Sequence, residues 1–170
     1  TRELVEQGLE ADMLLLSGGV SMGKYDFVER VLTELGAEFY ITQVLIQPGK
    51  PLVFGQVTGT PVFGLPGNPI STMVTFEVFA RMALDRLAGR SDSPLPFFAA
   101  RLGADFKHKP VLTRFLPARW TGDYGGARVN PVKWQGSGDL VAFAKANCFL
   151  VASTDRTSWE AGDWISLLPR

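Results

Sequence analysis

Residues 61–71, PVFGLPGNPIS, decide how the first half of the chain is read. A short apolar run ends in Pro66, Gly67, Asn68 and Pro69, and a long apolar segment begins directly after them. Prolines hold a turn, glycine lets backbone approach backbone, asparagine is a good N-cap, and Pro69 suits the first helical position. Ser71 then falls in the first turn. The stretch predicts a strand, a rigid corner and a helix over 69–88 closed by Gly89. That helix is apolar around most of its circumference, which predicts a place deep in a core or at a subunit interface.

Upstream, LVFGQVTGTPVFGLP predicts two short strands joined at Thr58-Gly59, and EFYITQVLI (38–46) a further strand. QPGKP (47–51) is a turn carrying Lys50. FVERVLTELG places Val28, Val31, Leu32 and Leu35 at helical spacing, with Asp26 positioned to cap and Gly36 to end that helix. GGVSMGKYD (18–26) is a glycine-rich loop. ADMLLLS (11–17) predicts a strand covered on both faces, and TRELVEQGLE a helix with Leu4, Val5 and Leu9 on one side. Alternating helices and strands imply an α/β layer with a mainly parallel sheet.

Downstream, RSDSPLPF (90–97) is polar and proline-bearing, and the helical period ends there. The runs 97–102, 111–120, 127–131, 140–143, 148–152 and 164–168 predict short strands. The expected division is an α/β domain over 1–90, a linker over 91–96 and a small all-β barrel or sandwich over 97–170.

Of 170 residues, 46% are hydrophobic and 20% charged, enough to bury a core. Lysine plus arginine equals aspartate plus glutamate at 17 each, so no global field favours nucleic acid or an anionic membrane. Any anion site must be a local arrangement. The single cysteine, Cys148, reads as a buried small hydrophobe, and the single histidine, His108, as a surface residue. One Cys and one His cannot supply a zinc site, and the lone Cys suits a reducing compartment. No run of about 18 apolar residues is present. The chain begins at Thr1 inside an apparent helix, which predicts a fragment of a longer protein.

Four features can carry chemistry. Gly18, Gly19 and Gly23 lie between a strand and a helix, where successive N–H groups can face an anion. Gly18–Lys24 also matches G-x-x-x-x-G-K, but Tyr25 stands where that phosphate loop needs Ser or Thr, and no later apolar strand ends in a partner acid. Asp26 is either an N-cap or a carboxylate holding Mg²⁺ beside the loop. Lys50 is either a solvated turn lysine or an oxyanion contact on a proline-stiffened backbone. The corner at 66–71 is either a well-made helix start or an anion-facing helix end.

SGGVSMGKYDF, QPGKPLVFG and FGLPGNPIS, in this order and spacing, resemble the molybdopterin molybdenumtransferases. That family includes bacterial MoeA, the gephyrin E domain and its plant counterpart. The resemblance runs over residues 1 to about 89, and GSGDL and AKANCFL are weaker marks of the family's small C-terminal domain. It implies a MogA-like molybdopterin-binding fold and a cytoplasmic homodimer. It implies an enzyme that takes adenylylated molybdopterin and molybdate and releases AMP with Mg²⁺. By the same resemblance, Gly18, Gly19, Ser21 and Gly23 would line the pterin and phosphate pocket, and Gln47 would be a cofactor-binding residue. Pro66, Gly67, Asn68, Pro69 and Ser71 would shape the anion pocket, Lys50 would contact molybdate or phosphate, and Asp26 would serve catalysis and metal. A molybdopterin adenylyltransferase is an implied partner. Gln47 departs from the family, which often has Lys or Arg there. Pro117 stands where eukaryotic relatives are expected to carry an arginine, with Arg114 or Arg119 as substitutes. The alternatives are a nucleotide-processing adenylyltransferase relative and a non-catalytic scaffold of gephyrin type.

Overall fold

The computed structural model describes residues 2–19, 27–90, 94–109 and 111–170. The chain divides into one unit of Thr1–Val44 with Gly49–Ser93 and a second of Leu45–Pro48 with Pro94–Arg170.

The first unit opens with α1 (Arg2–Gly8), β1 (Leu14–Ser17), α2 (Phe27–Glu34) and β2 (Glu38–Ile41). After β3 (Ile46–Gln47), which belongs to the second unit, it continues with β4 (Val53–Val57) and β5 (Thr60–Leu65). It ends in α3 (Pro69–Thr75), which runs through a π-helical turn (Phe76–Ala80) into α4 (Arg81–Leu87). The sheet order is β1-β5-β4-β2. The α/β class stands, but β1–β5 is the one parallel pairing among the described strands of this sheet, and β4–β5 and β2–β4 are antiparallel. The cause is local. Thr58 (φ 49°) and Gly59 (φ 92°) both take the left-handed conformation of a two-residue hairpin turn, and such a turn joins only antiparallel strands.

Strand alternation sends apolar side chains to both faces. Val53, Val57 and Val62 join Val5, Leu14, Val28, Val31 and Leu32 in a cluster under α1 and α2. Leu52, Phe63 and Leu65 meet Ala80 of the long helix on the opposite face. Fully burying one such aliphatic side chain is worth about 1.5–3 kcal/mol. Gly36 (φ 82°) ends α2: its N–H reaches Thr33 O (3.0 Å), and the Ala37 N–H reaches Leu32 O (2.9 Å).

Three expectations change here. Leu4 is exposed, because Val5 and Leu9 are four residues apart and share a face, whereas Leu4 is turned away from Val5 by a full helical step. β1 is covered on one face only: Leu14 and Leu16 enter the core, and Leu15 stands exposed on the other side of this edge strand. The strand expected over 38–46 is two. Glu38–Ile41 pairs with β4, and Ile46–Gln47 pairs with a strand of the second unit. The Val44 N–H donates to Lys50 O (2.9 Å), closing the neck of the segment between them.

The second unit adds β6 (Phe98–Leu102), β7 (Phe106–Lys107), β8 (Thr113–Asp123) and β9 (Gly126–Pro131). It ends in α5 (Leu140–Ala144), β10 (Cys148–Ala152), β11 (Ser158–Trp159) and β12 (Trp164–Pro169). Strand β10 pairs with β12 and also with β8, so β8-β9-β6-β12-β10 close into a small barrel. Ala100, Leu102, Leu116, Ala118, Val129, Leu150 and Leu167 fill it. Cys148 is fully buried as expected, its Sγ 3.4 Å from Ala118 O, and burial pushes its thiol up to about 11.

Two expectations fail in this unit. The run at 140–143 is helix, not strand, because Asp139 accepts the Ala142 N–H (2.9 Å) and starts a helical turn. His108 is buried, not on the surface. It lies beside Phe106 and Trp159, with Nε2 2.9 Å from both Ser153 O and Arg156 O. Both contacts are with carbonyls, which only accept, so Nε2 serves as the donor.

Candidate functional site

Strand direction gathers three of the sequence features at one end of the first unit's sheet. β1 runs parallel to β5 with Ser17 aligned to Leu65, so Gly18 and Pro66 leave the sheet side by side. β4 runs antiparallel to β5 with Val53 aligned to Gly64, so Lys50 precedes β4 at that same end. The carboxyl ends of parallel strands are where open α/β sheets bind ligands.

The closest approach is glycine on glycine. The Gly18 N–H donates to Leu65 O (2.9 Å), and a Cβ added to Gly67 would stand 3.2 Å from Gly18 Cα. Gly18 (φ 86°) and Gly19 (φ 69°) both hold left-handed backbone. A Cβ at Gly19 would also strike Val28 of α2 at 2.8 Å. A side chain at Gly67 would press on Gly18, and at Gly18 and Gly19 the left-handed backbone itself disfavours one.

The turn into α3 is locked from within. Pro66 is buried, and its carbonyl accepts the Thr72 hydroxyl, which also reaches Asn68 O at 2.9 Å. Asn68 Oδ1 accepts the Ile70 N–H (3.2 Å) and, at the limit of a hydrogen bond, the Ser71 N–H (3.5 Å). Pro69 occupies the first helical position and Ser71 is buried. The cap therefore takes two of the amides that the sequence offered to a ligand. What remains is an exposed Gly67 whose N–H meets no acceptor among the described residues, and a helix end whose positive dipole is capped without charge. Thr72, which fixes the Pro66 carbonyl, was missed in the sequence; its place four residues after Asn68 was the available signal.

Lys50 is exposed, and its carbonyl accepts the Val44 and Leu52 N–H groups (2.9 and 3.0 Å), which fixes the backbone that carries the ammonium. Gln47 belongs to the second unit, exposed on β3 and aligned with Arg114 of β8. Pro117 is buried in β8 opposite Phe149. Of its possible substitutes, Arg119 is exposed with Nη1 3.4 Å from Lys145 O, and the Arg114 Nε is buried without a partner among the described residues. Ser21, Gly23 and Asp26, with the rest of the Lys24 loop, lie outside the described residues. Among the described residues no three acidic, His or Cys side chains form a set that could hold a metal ion. The Mg²⁺ that the resemblance implies thus finds no donor set there. No described helix is long and apolar enough to cross a membrane.

Comparison with known proteins follows the same division. Residues 1–86 match the family described as a probable molybdopterin binding domain, and residues 99–169 match the MoeA C-terminal region, domain IV. Molybdopterin molybdenumtransferase of Haemophilus influenzae is 33% identical over 162 residues, 94% of this chain and 40% of the relative. The enzyme of the same description from Synechocystis sp. is 35% identical over 158 residues, 91% of this chain and 37% of the relative. A crystal structure of the molybdopterin biosynthesis moea protein from Pyrococcus horikosii superimposes with a TM-score of 0.79 at 30% identity. It is matched over 99% of this chain and 40% of its own. The chain thus spans about 40% of the length of these relatives.

Proposed function

The chain belongs to the family of probable molybdopterin binding domains, followed by a MoeA C-terminal domain, and on that premise we propose that it is part of a molybdopterin molybdenumtransferase. The whole protein would take adenylylated molybdopterin and molybdate, insert molybdenum at the dithiolene and release AMP.

The observation that carries this reading is the approach of Gly67 to Gly18 at the end of the sheet, beside an uncharged helix cap. Molybdate is a dianion, and the chain's net charge is zero, so attraction must come from local groups. The Gly67 N–H, the positive end of the 69–87 helix and the Lys50 ammonium supply them. Gly18 and Gly19 let backbone approach the pterin phosphates without a side chain in the way. Ser21 and Gly23 belong to the same proposed pocket, Asp26 is its proposed reacting carboxylate, and Gln47 is proposed separately as a cofactor-binding residue.

A cytoplasmic homodimer and docking of a molybdopterin adenylyltransferase belong to the same proposal. Exposed Met82, Leu84 and Leu87 on α4 are apolar surface of the kind a partner covers.

The test is AMP release by the protein at the length of its relatives, supplied with adenylylated molybdopterin, molybdate and a divalent cation. Release should require molybdate and fall by about 10²–10³ in Asp26→Ala, the range for losing one electrostatic contact to the reacting centre. AMP release that ignores molybdate, or full activity in Asp26→Ala, would sink the reading.

A further inference from the structure

In the second unit a cavity of about 470 Å³ opens where β6 meets β9, lined by Arg101, Leu102, Gly103, Arg128, Ala161 and Gly162. The strands are parallel there, and Arg101 is aligned with Arg128. Two cationic side chains thus start from neighbouring positions on one face of the sheet, an arrangement that opposes itself.

No described carboxylate bridges the two. Asp105 accepts the Ala161 N–H (2.9 Å), and Asp163 accepts the Glu160 N–H (3.0 Å) and pairs with Arg156. Arg101 helps to hold the Asp163 carboxyl low, but after the Glu160 N–H and Arg156. Neither arginine makes an ion pair among the described residues.

Arg101 is nevertheless fixed. Its Nη1 donates to Gly162 O (2.8 Å), and its guanidinium lies 4.1 Å from the centroid of the Trp164 ring, which is 55% exposed. Arg128 is exposed and makes no hydrogen bond among the described residues. The Ala161 and Gly162 N–H groups already bond to Asp105 and to Leu102 O (2.7 Å), so the guanidinium groups are the donors left to a ligand.

We propose that the Arg101–Arg128 cavity binds the phosphate group of a small phosphorylated molecule. Arg101 is the pre-set fork, and Arg128 closes on the anion from the neighbouring strand. Planar guanidinium groups match phosphate oxygens two at a time, and a dianion between them turns their repulsion into attraction. The cavity exceeds what a phosphate fills, which leaves room for the group that carries it. This site belongs to the second unit, and the proposal does not rest on the reading of the strand-to-helix corner in the first.

Inorganic phosphate and phenyl phosphate, titrated separately into the 170-residue chain, test it. Indole fluorescence and calorimetry read binding, since Trp164 lies on Arg101. Saturation by either is expected, and the tighter ligand tells a free anion from an esterified one. Arg128→Gln should raise Kd at least about tenfold, a loss of roughly 1.4 kcal/mol. Its melting temperature should stay at the wild-type value, because Arg128 is exposed and unpaired. If Arg128→Gln melts early, Arg128→Lys keeps the charge without the fork and should still bind more weakly. No saturation in the wild-type chain, or undiminished binding in the Arg128 variants, would overturn the proposal.

Discussion

Two helix starts in this molecule are built alike and charged differently. At the first, Asn68 caps the 69–87 helix with a neutral amide oxygen. At the second, Asp139 caps α5 with a carboxylate that also takes the Gln135 N–H (3.2 Å). The Ala142 N–H, then that of Gln135, holds the Asp139 carboxyl below its usual range. The second corner therefore carries its own anion. The first leaves the positive helix end without one, next to two glycines that admit a ligand to the backbone. The difference teaches that a good cap is not by itself a binding site: what matters is whether the cap also supplies the charge.

The comparison can be broken first at Gly18. Gly18→Ala should cost about 1–2 kcal/mol, the penalty of holding a side chain in left-handed backbone, and denaturant unfolding reads it. An unchanged midpoint would mean that the corner does not depend on that conformation. Asn68→Ala comes next, with an expected loss of about 1 kcal/mol as the Ile70 and Ser71 amides lose their acceptor. The smallest effect, Asp139→Asn, sharpens the contrast through pH. A carboxyl lowered in the folded state gives stability that is present above its unfolded value, about 3.9, and is lost as pH falls through its folded value. Thermal melts of wild type and Asp139→Asn should differ at pH 7 and converge in acid below about pH 4. Parallel curves throughout would show that the carboxylate does not matter.

The first corner was legible in the sequence because every element of it is local. Pro66 and Pro69 restrict their own dihedrals, Gly67 frees the turn, Asn68 caps amides two and three residues on, and the Thr58-Gly59 turn and the Gly36 helix end are equally short in range. The second corner was misread. Leu-Val-Ala-Phe is a four-residue apolar run that suits strand or helix, and only the Asp139 cap decides between them. Long-range features left still less trace. Nothing near Ile46 announces pairing with Thr113, and nothing in DFKHKP announces that His108 meets carbonyls at Ser153 and Arg156. The pairing of Arg101 with Arg128 likewise depends on two strands meeting in parallel across 27 residues, 128 less 101. Of the candidate site, the glycines and the cap were readable as residue types. Their meeting, and the two amides that the cap takes for itself, appear only once β1 and β5 are aligned.

Converting one corner into the other is the most direct test. Asn68→Asp keeps the cap oxygen and adds the charge that Asp139 already carries. Molybdate affinity, measured by calorimetry on the protein at the length of its relatives, should fall at least about tenfold. The melting temperature should hold or rise, because an aspartate caps as well as an asparagine and favours the helix dipole. Molybdate binding at full strength in a stably folded Asn68→Asp protein would contradict the account.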